Sequence, residues 1–144
     1  MRRRPLVWIV ALLLVACSSD HDVNLALPPT STNVTGTFVL TDANGIAPPF
    51  SAFLTSTEQW RLQSDVIVVA ANGTWTEKTD YLVVTLADGT SQPRQIIVAG
   101  TYRLVNGQIS FTMVEGGSSG FFGSVTGNAL IILFNGKRFT YTSS

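Results

Sequence analysis

The stretch GTYRLVNGQISF, residues 100–111, places alternating apolar and polar residues on both sides of an Asn-Gly dipeptide. Asn-Gly favours a two-residue type I′ turn, because both central residues of that turn need a positive φ. Such a turn pairs four apolar residues on one face: Leu104 with Ile109, and Tyr102 with Phe111. Turn chemistry and side-chain alternation therefore predict the same hairpin in the same register.

Similar turn signals recur along the chain, at residues 72–73, 88–89, 127–128 and 135–136. Between them lie runs rich in Val, Ile, Thr and aromatic residues, and no stretch shows convincing helical spacing. The last two turns place one further set of apolar residues on a single face: Val125 with Leu130, Leu130 with Tyr141, and Ile132 with Phe139. We predict an all-β fold, an antiparallel up-and-down meander of about eight to nine strands closed into a small barrel. A β-sandwich is the alternative.

Two strands decide which residues line the interior. In the run from Trp60 to Ala70 the even positions are mostly apolar, so we expect the even face to point inward and Asp65 outward. In TWTEKTDYLVVTLA, residues 74–87, the apolar phase begins on odd positions and ends on even ones. We predict a bulge near residues 78–80, which would switch the phase. The alternative is a polar stripe of Glu77 and Thr79 that faces the interior.

The first 16 residues are typical of a signal peptide. Three arginines precede an apolar run, residues 6–16, which is too short to cross a bilayer as a helix. The run ends Leu14-Val15-Ala16-Cys17, which resembles the lipobox of bacterial lipoproteins. The resemblance implies that Cys17 receives a diacylglyceryl group, that cleavage precedes it and that its amine is acylated, with palmitate for example. Ser18 in place of Asp favours the outer membrane.

Residues 17–35 form the lipidated N-terminus and a flexible tether, rich in Ser, Thr, Asn, Asp and Pro. His21 lies here between two aspartates, and we read it as solvated, with no metal site. Without the three N-terminal arginines, six basic and nine acidic residues give a charge near −3. With no basic run in the remaining chain, nucleic acid is not an expected partner.

Residues 36–144 resemble the lipocalin-like small barrels found in bacterial lipoproteins. The resemblance lies in the strand and turn motifs GTFVLT, ANGTW, GTYRLVNGQISF, GFFGSVTGNALIILF and FTYT. The early Gly-x-Trp motif of lipocalins has a counterpart in residues 36–38, with Phe38 in place of Trp. The resemblance implies a barrel fold and specifies no activity.

Function is expected to be non-catalytic and to need no cofactor. Residues 36–144 contain no His or Cys, which excludes Ser-His-Asp, Cys-His and His-rich metal chemistry. The acids Glu58, Asp65, Glu77, Asp80, Asp88 and Glu115 are scattered, mostly at predicted turns or outer faces. We therefore expect an envelope lipoprotein that acts as a structural or protein-interaction barrel. On the face opposite the predicted core lie Phe122, Ile131 and Leu133, which are either exposed or covered by residues 42–59.

The alternative is a carrier module for a small apolar ligand inside the barrel. Aromatic side chains on the predicted inner face are its candidate binding residues: Trp60, Trp75, Tyr102 and Phe111, with Phe134 and Phe139. The same residues would otherwise simply fill the core. Expected partners are therefore the membrane, through the lipid, and either such a ligand or another envelope protein.

Replacing Cys17 with Ser tests the lipid anchor. The variant lacks the thiol that accepts the diacylglyceryl group, and two or more acyl chains are what make membrane binding stable. We expect uncleaved precursor, or loss of the mature protein from the membrane fraction, measured by immunoblot after detergent partitioning. Partitioning unchanged from the wild type would rule the lipid out.

Overall fold

A computed structural model describes residues 34–114 and 120–144. Within them the chain forms nine β-strands: β1 (Gly36–Ala43), β2 (Phe50–Leu54), β3 (Glu58–Val69), β4 (Thr74–Thr85), β5 (Ser91–Val105), β6 (Gln108–Met113), β7 (Gly120–Thr126), β8 (Ala129–Phe134) and β9 (Lys137–Ser143). The predicted signal peptide, Cys17, residues 18–33 of the predicted tether with His21, and Glu115 lie outside the described residues. Val34, placed in the tether by the sequence, is 3% exposed and belongs to the hydrophobic core. The described residues include no helix that could cross a membrane.

The sheet is an antiparallel meander that closes on itself. Neighbouring strands follow the order β1-β9-β8-β7-β6-β5-β4-β3-β2, and β1 also pairs with β3. That pairing joins residues 36–39 to residues 66–69 and completes an eight-stranded barrel. β2 is the additional strand, and it pairs with the first half of β3, residues 59–62. The all-β barrel predicted from the sequence is confirmed, and a sandwich is not formed.

The predicted hairpins have the predicted registers. Leu104 pairs with Ile109 and Tyr102 with Phe111 across a turn in which Asn106 and Gly107 have φ of 51° and 77°. The two later hairpins also agree with the sequence: Val125 pairs with Leu130, Ile132 with Phe139, and Leu130 with Tyr141.

The predicted bulge in β4 is wrong, and the bulge lies in the partner strand. Leu62 pairs with Tyr81, whereas Ser64 pairs with Asp80, so Gln63 is an extra residue in β3. Beyond it the inward phase of β3 changes from even to odd positions. Asp65, Ile67 and Val69 are therefore buried, and Val68, expected inside, is 44% exposed. β4 keeps its odd phase throughout, so the polar stripe of Glu77 and Thr79 faces the interior.

One end of the barrel, here called the Trp75 end, is densely packed. It is the end with the turns at residues 71–73, 106–107 and 127–128. Trp75, Phe111 and Phe121 form an aromatic cluster with ring centroids 4.7–5.2 Å apart. The Trp75 Nε1 donates to the carbonyl oxygens of Thr101 and Thr112, at 3.0 and 3.3 Å.

Gly100 is needed for this arrangement. A Cβ at that position would lie 1.8 Å from the Thr112 carbonyl oxygen and 2.8 Å from the Trp75 Nε1. Glycine therefore lets the backbone of β5 approach that of β6 and the indole ring. The close approach at this residue is part of the dense packing of the Trp75 end.

Candidate functional site

A cavity of about 440 Å³ occupies the other half of the barrel interior. It opens at the end with the turn at residues 135–136, here called the Asn135 end. Most of its wall is apolar, with side chains from five strands: Phe50, Phe53, Val98, Met113, Ile132, Phe134 and Phe139. A polar group stands on the wall formed by β3, β4 and β9: Asp65, Glu77, Thr79, Tyr81 and Tyr141.

Asp65 lies at the centre of the polar group. The bulge at Gln63 turns it inward, where it is only 5% exposed. The Tyr141 hydroxyl donates to its Oδ2 at 2.8 Å, and the Thr79 hydroxyl donates to its Oδ1 at 3.2 Å. Burial raises the pKa of Asp65, and these hydrogen bonds partly oppose that rise by stabilising the ionised form.

Glu77 is the second acid of the cavity. It pairs with Ile67 on one side and Val98 on the other, two positions along β4 from Thr79. Burial, followed by the negative charge of Asp65 and a hydrogen bond with it, raises the pKa of Glu77 to about 8. Asp65 already accepts from Tyr141 and Thr79, so the proton resides on Glu77 at neutral pH. The two carboxyls share it in the sense that Glu77 donates it to Asp65 in a hydrogen bond.

Both tyrosines of the polar group remain neutral hydrogen-bonding groups. Burial raises the pKa of Tyr141 and of Tyr81, and the nearby carboxyls Asp65 and Glu77 raise them further. Tyr141 is 2% exposed and donates to Asp65, whereas Tyr81 stands nearer the Asn135 end. The polar wall can therefore donate from the neutral Tyr81 hydroxyl, accept at the carboxyls, and hold or release one proton.

An aromatic group lies beside the cavity mouth. Phe53 of β2 stacks on Trp60 with ring centroids 4.9 Å apart, and Tyr81 meets Trp60 edge-on at 5.5 Å. The Arg94 guanidinium lies 5.2 Å from the centroid of the Trp60 ring, a cation–π contact. The additional strand β2 thus lines one side of the mouth with Phe50 and Phe53.

The four aromatic residues that the sequence suggested as ligand contacts lie beside the cavity rather than on its wall. Trp60 lies behind Phe53 and Tyr81, and Trp75 and Phe111 belong to the cluster at the Trp75 end. Tyr102 donates its hydroxyl to the Ala70 carbonyl oxygen at 3.0 Å, near the same end. Their role in ligand binding stays a prediction. Phe134 and Phe139, from the same inner face, do line the cavity.

The acids of the site were not identified as functional from the sequence. Asp65 was expected on the outer face, and that prediction is wrong because the bulge precedes it. A usable signal was the polar stripe of Glu77 and Thr79, which interrupts an otherwise apolar inner face. The described residues contain no group of three or more side chains suited to hold a metal ion.

Comparison of the chain with models of protein families, with curated proteins and with solved structures found no match. The eight-stranded antiparallel barrel is compatible with a lipocalin-like barrel. Function is therefore inferred from the cavity and the surfaces of the barrel itself.

The shared proton makes stability depend on pH. The pKa of Glu77 is about 8 in the folded protein and near 4.5 when unperturbed, so the folded state holds the proton more tightly. This contribution to stability is complete below pH 4.5 and is lost as the pH rises through 8. Asp65, with its raised pKa, acts in the same direction. We expect the free energy of unfolding in urea to fall by about 1 kcal/mol per pH unit between pH 5 and 8.

The Glu77→Gln variant isolates this effect, because glutamine keeps the shape of the side chain and cannot titrate. Its stability should vary less with pH than that of the wild type, and at pH 8 it should be at least as stable. An equal slope in both proteins would show that Glu77 does not hold the proton.

Proposed function

We propose that this protein is a bacterial envelope lipoprotein, anchored by Cys17 in the outer membrane and facing the periplasm. In this proposal its lipocalin-like barrel binds a small, largely apolar ligand and carries out no catalysis. The observation that carries the binding function is the cavity of about 440 Å³ between the aromatic mouth and the packed Trp75 end.

The size and lining of this cavity favour a ligand over a structural void. Ligand pockets are typically about 300–1,000 Å³, mostly apolar, with a few polar groups that orient the ligand. An eight-stranded barrel is just wide enough either to be filled by its own side chains or to hold one small ligand. Here the two halves differ, since side chains fill the Trp75 end and leave the Asn135 end open.

The anchor and the tether suit a carrier that works beside a membrane. Fully extended, residues 17–33 would span roughly 55 Å at about 3.3 Å per residue. A barrel on such a tether would stay near the membrane surface. Small apolar molecules concentrate in membranes, so a tethered barrel is well placed to exchange them.

Filling the cavity tests the binding function. Val98 lines the cavity, and its neighbour Ile97 points outward and is 63% exposed. We expect Val98→Trp to weaken binding of the neutral fluorescent probe N-phenyl-1-naphthylamine at least tenfold, because the indole occupies the ligand space. Ile97→Trp adds the same side chain outside and should bind the probe like the wild type.

The measurement is the rise in probe fluorescence on titration, with circular dichroism to show that both variants keep the sheet. Absence of saturable binding to the wild type, or equal binding to folded Val98→Trp, would contradict a ligand function for the cavity.

A surface on the opposite side of the sheet supports a second candidate, the structural or protein-interaction barrel. Phe122 and Leu133 pair across β7 and β8 and are 72% and 67% exposed. Ile131, on the same face, is only partly exposed. Residues 42–59 do not cover this face, since they include β2, which pairs with β3. Exposed apolar patches often mark protein contacts.

Leu133→Lys tests this candidate, with Leu54→Lys as its control, because both leucines are 67% exposed. If the Phe122–Leu133 surface binds an envelope protein, crosslinking in cells should lose an adduct in Leu133→Lys and keep it in Leu54→Lys. An identical adduct pattern in wild type and both variants would count against this surface.

A further inference from the structure

We propose that the ligand of the cavity carries a protonated amine, which binds between Asp65 and Glu77 while its apolar part extends toward the mouth. This inference rests on the proposed ligand-binding function and names the chemical class of the ligand. It is carried by the cavity: two carboxyls lie on one wall of a mostly apolar space, at its inner end.

The two carboxyls have no basic partner within the part of the chain that the structure describes. The ion pair found there, Lys78 with Asp80 at 3.8 Å, lies on the outer face of β4. Asp65 instead accepts hydrogen bonds from two hydroxyl groups, and Glu77 forms a hydrogen bond with Asp65. A buried acid pair without a cation keeps one proton because two adjacent negative charges repel each other. Lys137 lines the same cavity but lies at its mouth, so a ligand cation supplies the positive charge that is missing beside the acid pair.

The layout of the cavity gives the ligand an orientation. Phe134 and Lys137 flank the turn at the mouth, and Tyr141, which bonds Asp65, lies four residues farther along β9. At about 3.3 Å per residue, the acid pair lies roughly 13 Å from the mouth as measured along β9. The wall between is mainly apolar, including Ile132 and Phe139. A linear amine therefore fits head first, with its hydrocarbon chain against these residues.

Charge discriminates among ligands of similar shape. A fatty acid would bring a third carboxylate to an uncompensated pair, at a cost in like-charge repulsion. A neutral alcohol can hydrogen-bond to the pair but supplies no charge. An amine both bonds to the carboxyls and neutralises them, so it should bind most tightly of the three.

Amine binding should release a proton. The ammonium group takes the place of the Glu77 proton, which passes to solvent, and both carboxyls are then ionised. Of the other titratable or charged groups that line the cavity, Tyr81 lies on β4, and Tyr141 and Lys137 on β9. Residues from β2, β5, β6, β7 and β8 that line it carry no charge. Since the pKa of Glu77 is about 8, the affinity for an amine should increase about tenfold for each unit by which the pH is raised toward 8.

Isothermal titration calorimetry of the full-length protein tests this with decylamine, decanol and decanoic acid, three probes with the same length of chain. Titrations at pH 6, 7 and 8, each in two buffers of different ionisation enthalpy, give the affinity and the number of protons released. We expect decylamine to bind most tightly at pH 8 and to release about one proton at pH 7. Decanol should show no dependence on pH, and decanoic acid should bind most weakly.

Glu77→Gln should weaken decylamine binding at least tenfold at pH 8 and abolish proton release, and it should affect decanol binding far less, because decanol carries no charge. Asp88→Asn, an equivalent change in the exposed turn between β4 and β5, is the control and should match the wild type. The proton count in the wild type needs no variant, so the test remains decisive even if Glu77→Gln does not fold.

The outcomes separate the two proposals. If decanol binds as tightly as decylamine, or decylamine releases no proton, the amine inference is overturned while ligand binding stands. If none of the three probes binds, the cavity is not a ligand site and both proposals fail.

Discussion

An extra residue in β3, Gln63, sets which side chains of that strand face the barrel interior. Before it the inward residues are Trp60 and Leu62, and after it they include Asp65. The bulge lies where the edge of β3 passes from one partner to another, since β2 pairs with residues 59–62 and β1 with residues 66–69. A bulge bends a strand and increases its twist. At this point it serves both closure of the barrel and burial of an acid.

Local sequence was sufficient for the hairpins and insufficient for β3. A two-residue turn such as Asn106–Gly107 fixes the pairing of its strands, and alternation of apolar residues provides an independent check. In β3 the residues after the bulge are apolar on both faces: Val66 and Val68 outward, Ile67 and Val69 inward. Either phase therefore satisfies the hydrophobic pattern, and only pairing with β1 and β4 selects one.

The acid site depends on contacts that no local pattern contains. Asp65 and Tyr141, whose hydrogen bond orients the pair, are 76 residues apart in the chain. They meet because β1 pairs with both β9 and β3, so that closure leaves only β1 between the last strand and the third. The polar stripe in β4 indicated that something polar faced the interior. Its partners became visible only in the closed barrel.

The two halves of the barrel differ in how they are packed. Cys17, the one cysteine, has no partner for an intramolecular disulfide, so packing must hold the domain together. The aromatic cluster around Trp75 serves that purpose at one end. The Asn135 end holds instead a cavity and an acid pair without a cation, and apolar residues of similar volume would often be at least as stable there. Features that cost stability concentrate where a protein functions. Their coincidence in one half of the barrel supports the proposal that this half binds a ligand.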